Sequence, residues 1–396
     1  IEIPFSWGQG SVSGSEVDAA TGFITSGQTV GQRVVVRNDV EERNAKLMQF
    51  GLNVEYDLND DISIEFDASH SSVERDIWSL ESYSGTGRGN DNGVADTLGY
   101  TFNDDNTGAT FTHDLDYSDY NLIQLGGPLT WGWSSALNDK FNATGTEWEN
   151  SAQDGFINAP TVDDELTSLK LAASQLLDSD VVSKLVYGVS YRSREKQKAS
   201  EGYFMTLNAF PGTLVVPEQY REGTADLSFI GMGNMIAYDS RSLINDGYYS
   251  LTQESLTHPS HATKSWTVSE DVFSAFVMAE IDTEIAGFEL SGNAGVRYVG
   301  TEQSSIGYSF SDGTGLVESA VSGQTHDYSH FLPSLNLSLK LTDDQKLRFG
   351  YAKTISRARL DEMHASVSTG YSTTPDDNGN NFSIGGGNPT LEPKEA

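Results

Sequence analysis

Residues 47–70 read LMQFGLNVEYDLNDDISIEFDASH. Met48, Phe50, Leu52, Val54 and Tyr56 alternate strictly with Gln49, Gly51, Asn53, Glu55 and Asp57. A pleated strand sends successive side chains to opposite faces, so this run has one oily and one wet face. After Asn59, Asp60 and Asp61 the alternation restarts, with Ile62, Ile64, Phe66 and Ala68 set against Ser63, Glu65, Asp67 and Ser69. Two such runs around a short acidic turn predict a β-hairpin.

The same pattern recurs along the chain. The first hairpin is expected over about 44–75, and a second over about 164–196 turns at Asp178 to Asp180. A third, 272–302, turns at Glu284 to Gly287, and a fourth, 328–356, turns at Thr342 to Gln345. In the third the oily positions are Phe273, Ala275, Val277, Ala279 and Ile281 on the way in, and Phe288, Leu290, Ala294, Val296 and Tyr298 on the way out. Lys170 interrupts the third strand on its wet face, and Pro333 removes a ladder donor within the seventh, where a bulge is expected. Between hairpins lie long polar connections, 76–163, 199–267, 303–327 and 358–396. Soluble domains favour loops of about 4–6 residues. Short turns at one end and long loops at the other are the asymmetry of a bacterial transmembrane antiparallel β-barrel, all-β, its long loops extracellular.

Composition narrows the alternatives. Hydrophobic residues make up 37% of the chain, and no apolar run approaches the roughly 20 residues that a membrane helix requires. The net charge of −33 opposes binding to nucleic acid, which needs clustered Lys and Arg. With 0 cysteines there is neither a disulfide framework nor a thiolate metal site. Glu55, Glu65, Lys184, Glu280, Glu289, Arg297, Lys340 and Arg348 put ionisable groups on the wet faces, as a watery lumen would. Tyr56, Tyr187, Tyr191, Tyr298 and Tyr351 stand toward strand ends on the oily faces, where a membrane girdle places aromatics. A packed soluble β-sandwich also produces alternation, so pattern by itself leaves that alternative standing.

From Leu347 the chain reads LRFGYAKTISRARLDEMHAS, and from Gly385 it reads GGGNPTLEPKEA. These stretches resemble the barrel signature of TonB-dependent receptors, a Lys-Thr-x-x-Arg element followed by Gly-Asn-Pro-x-Leu-x-Pro. The matching positions are Lys353, Thr354 and Arg357, then Gly387, Asn388, Pro389, Leu391 and Pro393. Upstream, 331–337 (FLPSLNL) and 292–298 (GNAGVRY) resemble the segments that precede the signature. Spacing and style are most similar to the branch described from Caulobacter and Xanthomonas relatives, many of them associated with carbohydrate uptake. Ala358 replaces a common Pro, and Glu392 stands where a basic residue is frequent.

The resemblance implies an outer-membrane receptor that takes up a scarce nutrient, an oligosaccharide by preference, with no reaction catalysed and no cofactor or metal. Its implied partners are the TonB complex, through an N-terminal plug region not recognisable before the first hairpin, outer-membrane lipid and lipopolysaccharide, the carbohydrate or other small ligand, and a surface lipoprotein. The chain reads as an internal barrel segment, 1–396, whose eight strands form an arc of a barrel of about 22. A siderophore-iron receptor of the same fold, a passive porin and a secreted glycan-binding β-protein are the competing readings.

The first long connection carries Trp78, Tyr83, Trp131, Trp133 and Trp148 among Asp91, Asn92, Asp104, Asp105 and Asn106. Aromatic faces beside paired acceptors and donors suit sugar rings, and these five aromatics are the ligand-binding candidates. Packing of the loop onto itself is the plainer role for any one of them. Trp266, at the start of the fifth strand, is expected to anchor at the membrane interface. Asp104 to Gly108 and Asp376 to Asn380 lack the spacing of a calcium loop, and His258 and His261 lack helical metal spacing.

Overall fold

A computed structural model of the chain describes residues 10–87, 93–103, 108–126, 153–254, 256, 259–312, 320–376 and 379–396. It divides into two compact units, described in turn.

One unit comprises 44–76, 161–200 and 257–396. Its wall is built from strands that each pair with the next in the chain: β1 (Val40–Asp57), β2 (Ile62–Gly85), β3 (Thr161–Leu176), β4 (Val182–Ala199), β5 (Trp266–Ile285), β6 (Phe288–Asp312), β7 (Ala320–Lys340) and β8 (Lys346–Ala352). The ladder is antiparallel, and the arc is open because β1 and β8 are not paired with each other. The tight turns follow from local chemistry. Asn59 Oδ1 accepts the N–H groups of Asp61 and Ile62, both at 2.9 Å, closing an Asx turn. Between β5 and β6, Ala286 and Gly287 both have positive φ, 53° and 82°, the geometry of a type I′ turn.

Register turns the alternating sequence into rows. Phe66, Leu171, Val189, Ala275, Tyr298 and Phe331 stand opposite one another across β2 to β7, and this face carries exposed Leu171, Val189 and Phe331. One residue along, Asp67, Lys170, Ser190, Ser274, Val299 and His330 form a row on the other face. Large apolar groups face solvent where a soluble sandwich would cover them. From Phe288 to Tyr298 is about ten residues, which at roughly 3.3 Å each and a tilt near 40° span about 25 Å, the height of a lipid-facing band.

Three expectations change. The stretch 303–327 is largely strand, since β6 runs to Asp312 and β7 starts at Ala320; likewise β2 continues to Gly85. Alternation marks only the part of a strand with one oily face, and the ladder persists beyond it with polar residues on both faces. Pro333 makes no bulge: the β6–β7 register runs through Val296 and Pro333 without a shift. Its carbonyl accepts the Lys353 N–H at 3.0 Å, and a residue's N and O point to the same neighbour. The missing donor therefore faces the β8 side, and no bond to β6 is lost. Trp266 is also not an interfacial anchor. It shares parity with Glu270 and Ser274 on the polar side of β5, is 7% exposed, and packs with Val268, Leu360, Met363 and Leu391.

The second unit comprises 1–43, 77–160 and 201–256. Its core includes Leu80, Leu98, Tyr117, Ile123, Leu125, Ile157, Met205, Leu207 and Leu243. Residues 11–17, 24–32, 96–102 and 109–112 make a four-stranded sheet, and the helix Ser240–Asn245 is capped by Asp239, which accepts the Ser242 N–H at 2.9 Å. The long connections thus fold around a hydrophobic core of their own.

Candidate functional site

Several charges on the polar face of the wall are paired. Lys170 Nζ donates to both oxygens of Glu65, at 2.9 and 2.8 Å, so the cation that interrupts β3 is matched on β2. Arg297 lies 5.1 Å above the Phe276 ring, which gives that inward-facing apolar residue a partner. Lys170, Phe276, Arg297 and Lys353 line one concavity of about 700 Å³.

Onto this face the segment after β8 is clasped, and the residues of the two sequence elements are what clasp it. Arg357 Nη1 meets Glu270 Oε2 at 2.6 Å, with side-chain exposures of 29% and 11%. Arg357 Nη2 also reaches Thr301 Oγ1 at 3.4 Å. Residues 354–356 pair with 394–396, where the Thr354 N–H donates to the Ala396 carbonyl at 2.9 Å. Lys353 Nζ lies 2.7 Å from Glu395, whose carboxylate also meets His330 Nδ1 at 2.8 Å. Lys353 first and His330 second hold the Glu395 carboxyl below the usual glutamate range.

The Gly-Asn-Pro turn is fixed as tightly. Asn388 Oδ1 accepts from the Thr390 N–H at 3.0 Å and from its hydroxyl at 2.9 Å. Gln303 Nε2 donates to the carbonyls of Pro389 and Leu391, at 2.7 and 3.0 Å. A Cβ on Gly387 would stand 2.3 Å from the His364 carbonyl oxygen, so only glycine allows this approach. Leu391 packs into the Trp266 cluster. The element residues thus hold an inner segment to β5, β6 and β7. Gln303 and Glu270, which receive that segment, were not singled out from sequence, and Trp266 was given a different role, although Glu270 and Trp266 share one strand face by parity.

The aromatic candidates lie elsewhere. Trp78 packs partly into the second unit's core, with Arg241 3.8 Å above its ring and Glu42 3.5 Å from that guanidinium. Tyr83 is 3% exposed, clusters with Val35 and donates to Glu81 at 3.1 Å; burial first, then Glu81, pushes its hydroxyl pKa up. Its ring face is spent on packing. Trp131, Trp133 and Trp148 lie outside the described residues, as do Asp91, Asn92 and 104–106. Asp376 and Asn380 close their own turn, the Asn380 N–H donating to Asp376 Oδ1 at 2.8 Å. His261 is buried with its Nδ1 3.2 Å from Ser200 Oγ, and His258 lies outside the described residues.

An antiparallel arc, apolar on one face, charged on the other and closed by tight turns at one end, is the wall of an outer-membrane β-barrel. The family described as TonB dependent receptor-like, beta-barrel, matches residues 125–396. The chain belongs to that family, whose members carry out TonB-dependent transport across the outer membrane of Gram-negative bacteria. No curated protein and no solved structure matches the chain.

Proposed function

We propose that this receptor imports an oligosaccharide, captured by the surface loops and passed along the polar face of the wall. The observation that carries this reading is the second unit: two long connections and the N-terminal residues share one hydrophobic core. A compact loop body offers an extended platform rich in Asp, Asn and Ser, the donors and acceptors that a chain of sugar rings requires. The similarity to the carbohydrate-associated Caulobacter and Xanthomonas branch points the same way. Trp78, Tyr83 and the indoles of Trp131, Trp133 and Trp148 are the proposed ligand-binding aromatics. In this reading 1–396 is part of one barrel domain, its plug engages the TonB complex, and a surface lipoprotein assists capture.

Titration of the detergent-solubilised full-length receptor with a panel of oligosaccharides and ferric siderophores tests the proposal. Saturable binding of a glycan, with weakening in W78A, is expected. Binding of a ferric siderophore with silence from every glycan would replace the oligosaccharide by iron.

A further inference from the structure

Residues 191–198 read YRSREKQK. Period-2 alternation throws Arg192, Arg194, Lys196 and Lys198 to the inward face of β4 and leaves Ser193, Glu195 and Gln197 outward. In a chain with 24 basic residues against 57 acidic ones, four cations within seven positions on one strand face are a local reversal of charge.

Only part of that charge is matched. Arg194 is neutralised by a two-pronged contact with Asp164, at 2.9 and 2.6 Å. Glu270, inward on β5, is taken by Arg357, and Asp361 by Arg359. Among the described residues no carboxylate stands within ion-pairing distance of Lys196, Lys198 or Lys264. Two of these flank Trp266, and the third acts on Lys198. Lys198 is the register partner of Trp266 on β4, the Lys196 ammonium lies 6.0 Å from the Trp266 ring, and Lys264 precedes Trp266 by two positions. His364 stacks on the same indole, with centroids 5.9 Å apart and planes at 15°. The buried His364 Nδ1 has no hydrogen-bond partner.

Since the apolar band ends near Tyr191, this cluster stands beyond it, in water on the loop side. Burial first, then Lys264, lowers the Lys198 ammonium pKa, and burial first lowers that of the His364 imidazole. Asp361 is the carboxylate whose field reaches Lys196 and Lys198, and Arg359 already pairs with it, so the three ammoniums leave an excess of positive charge that an incoming anion relieves.

We propose that Lys196, Lys198 and Lys264 form a subsite for a carboxylate on the transported ligand. The proposal rests on the oligosaccharide reading and narrows it: the ligand is acidic, a uronate-bearing glycan. A neutral sugar gains no charge attraction from these ammoniums, so they are where acidic and neutral glycans are told apart.

The test uses the full-length receptor and a panel of uronate oligosaccharides, each paired with its carboxyl-reduced neutral counterpart. At low salt an acidic member binds about tenfold or more tightly than its counterpart, and the preference shrinks as salt rises. K196Q/K198Q/K264Q abolishes the preference while leaving the neutral counterpart's affinity unchanged, and exposed K264Q alone reduces it, which guards against a folding defect in the triple variant. Equal binding of acidic and neutral members, or an unaltered preference in the triple variant, overturns the subsite and leaves the oligosaccharide reading intact. Silence from every glycan overturns that reading and the subsite with it.

Discussion

Replacing Arg357 by alanine strands the Glu270 carboxylate, which is 11% exposed and whose register partner on β4, Arg194, is already committed to Asp164. Removing one partner of a fully buried ion pair costs about 3–5 kcal/mol. Arg357 keeps 29% of its side chain in water, so the cost is smaller, about 2 kcal/mol. The loss falls on the clasp rather than on the wall, whose ladder does not depend on this pair. Hydrogen exchange in peptides covering 353–366 and 385–396 of the full-length receptor should therefore quicken by about 30-fold, with β5 and β6 unchanged. In R357A/E270Q no charge is stranded, and most of the protection returns. The reasoning is refuted if R357A exchanges within about twofold of the parent, or if the double variant opens as far as the single one.

Four further outcomes follow from other contacts. A286G removes a positive φ of 53° from a residue with a Cβ and should stabilise the β5–β6 hairpin by about 0.5–1 kcal/mol in urea titration; no gain would show the turn to be unstrained. V277K puts a cation among exposed apolar residues and should cost about 2–4 kcal/mol of folding free energy in lipid, whereas S190K, on the opposite face, should cost far less; equal costs would contradict the facing. W266A empties a buried site beneath the clasp and should cost about 3 kcal/mol of clasp protection while leaving membrane extraction unchanged. Because the Glu395 carboxyl titrates below its ordinary value in the folded protein, the folded state binds fewer protons than the unfolded one. Its contribution is complete above about pH 4.5 and is lost as pH falls through the lowered value, so protection at the 394–396 end, corrected for the intrinsic exchange rate at each pH, should fall as the solution is acidified below about pH 4.5, less so in K353Q.

Much of the wall was legible because a lipid-facing strand must alternate. Met48 to Ala68 gave both strands, their turn and their facing from period alone. What alternation could not show was where strands end once lipid is left behind, hence the residues 303–312 and 320–327 read as connection. Trp266 was misplaced by weighing its type above its position: counted in twos from Ser274 and Glu270, it falls inward. Phe276 falls inward by the same count, and only the structure supplies its reason, the Arg297 guanidinium above its ring. The clasp was visible as two separated elements, yet their meeting depends on Gln303 and Glu270, and contacts across such distances in sequence leave no local signature. The loop aromatics divide in the same way, since Tyr83 and Trp78 look alike in sequence and differ in how far the core encloses them.

The facing of the wall is the claim on which the rest depends, and a chain with 0 native cysteines makes it directly measurable. Single cysteines at Val189, Val277 and Val296, and at Ser190, Phe276 and Arg297, would be spin-labelled in the full-length receptor in lipid. Collision rates with oxygen, which concentrates in the membrane, should be high for the first set, and those with a water-soluble nickel chelate high for the second. Alternation of the two signals from 276 to 277 and from 189 to 190 is the expected result. The same preference at neighbouring positions, or a nickel preference at all six, would contradict a membrane wall.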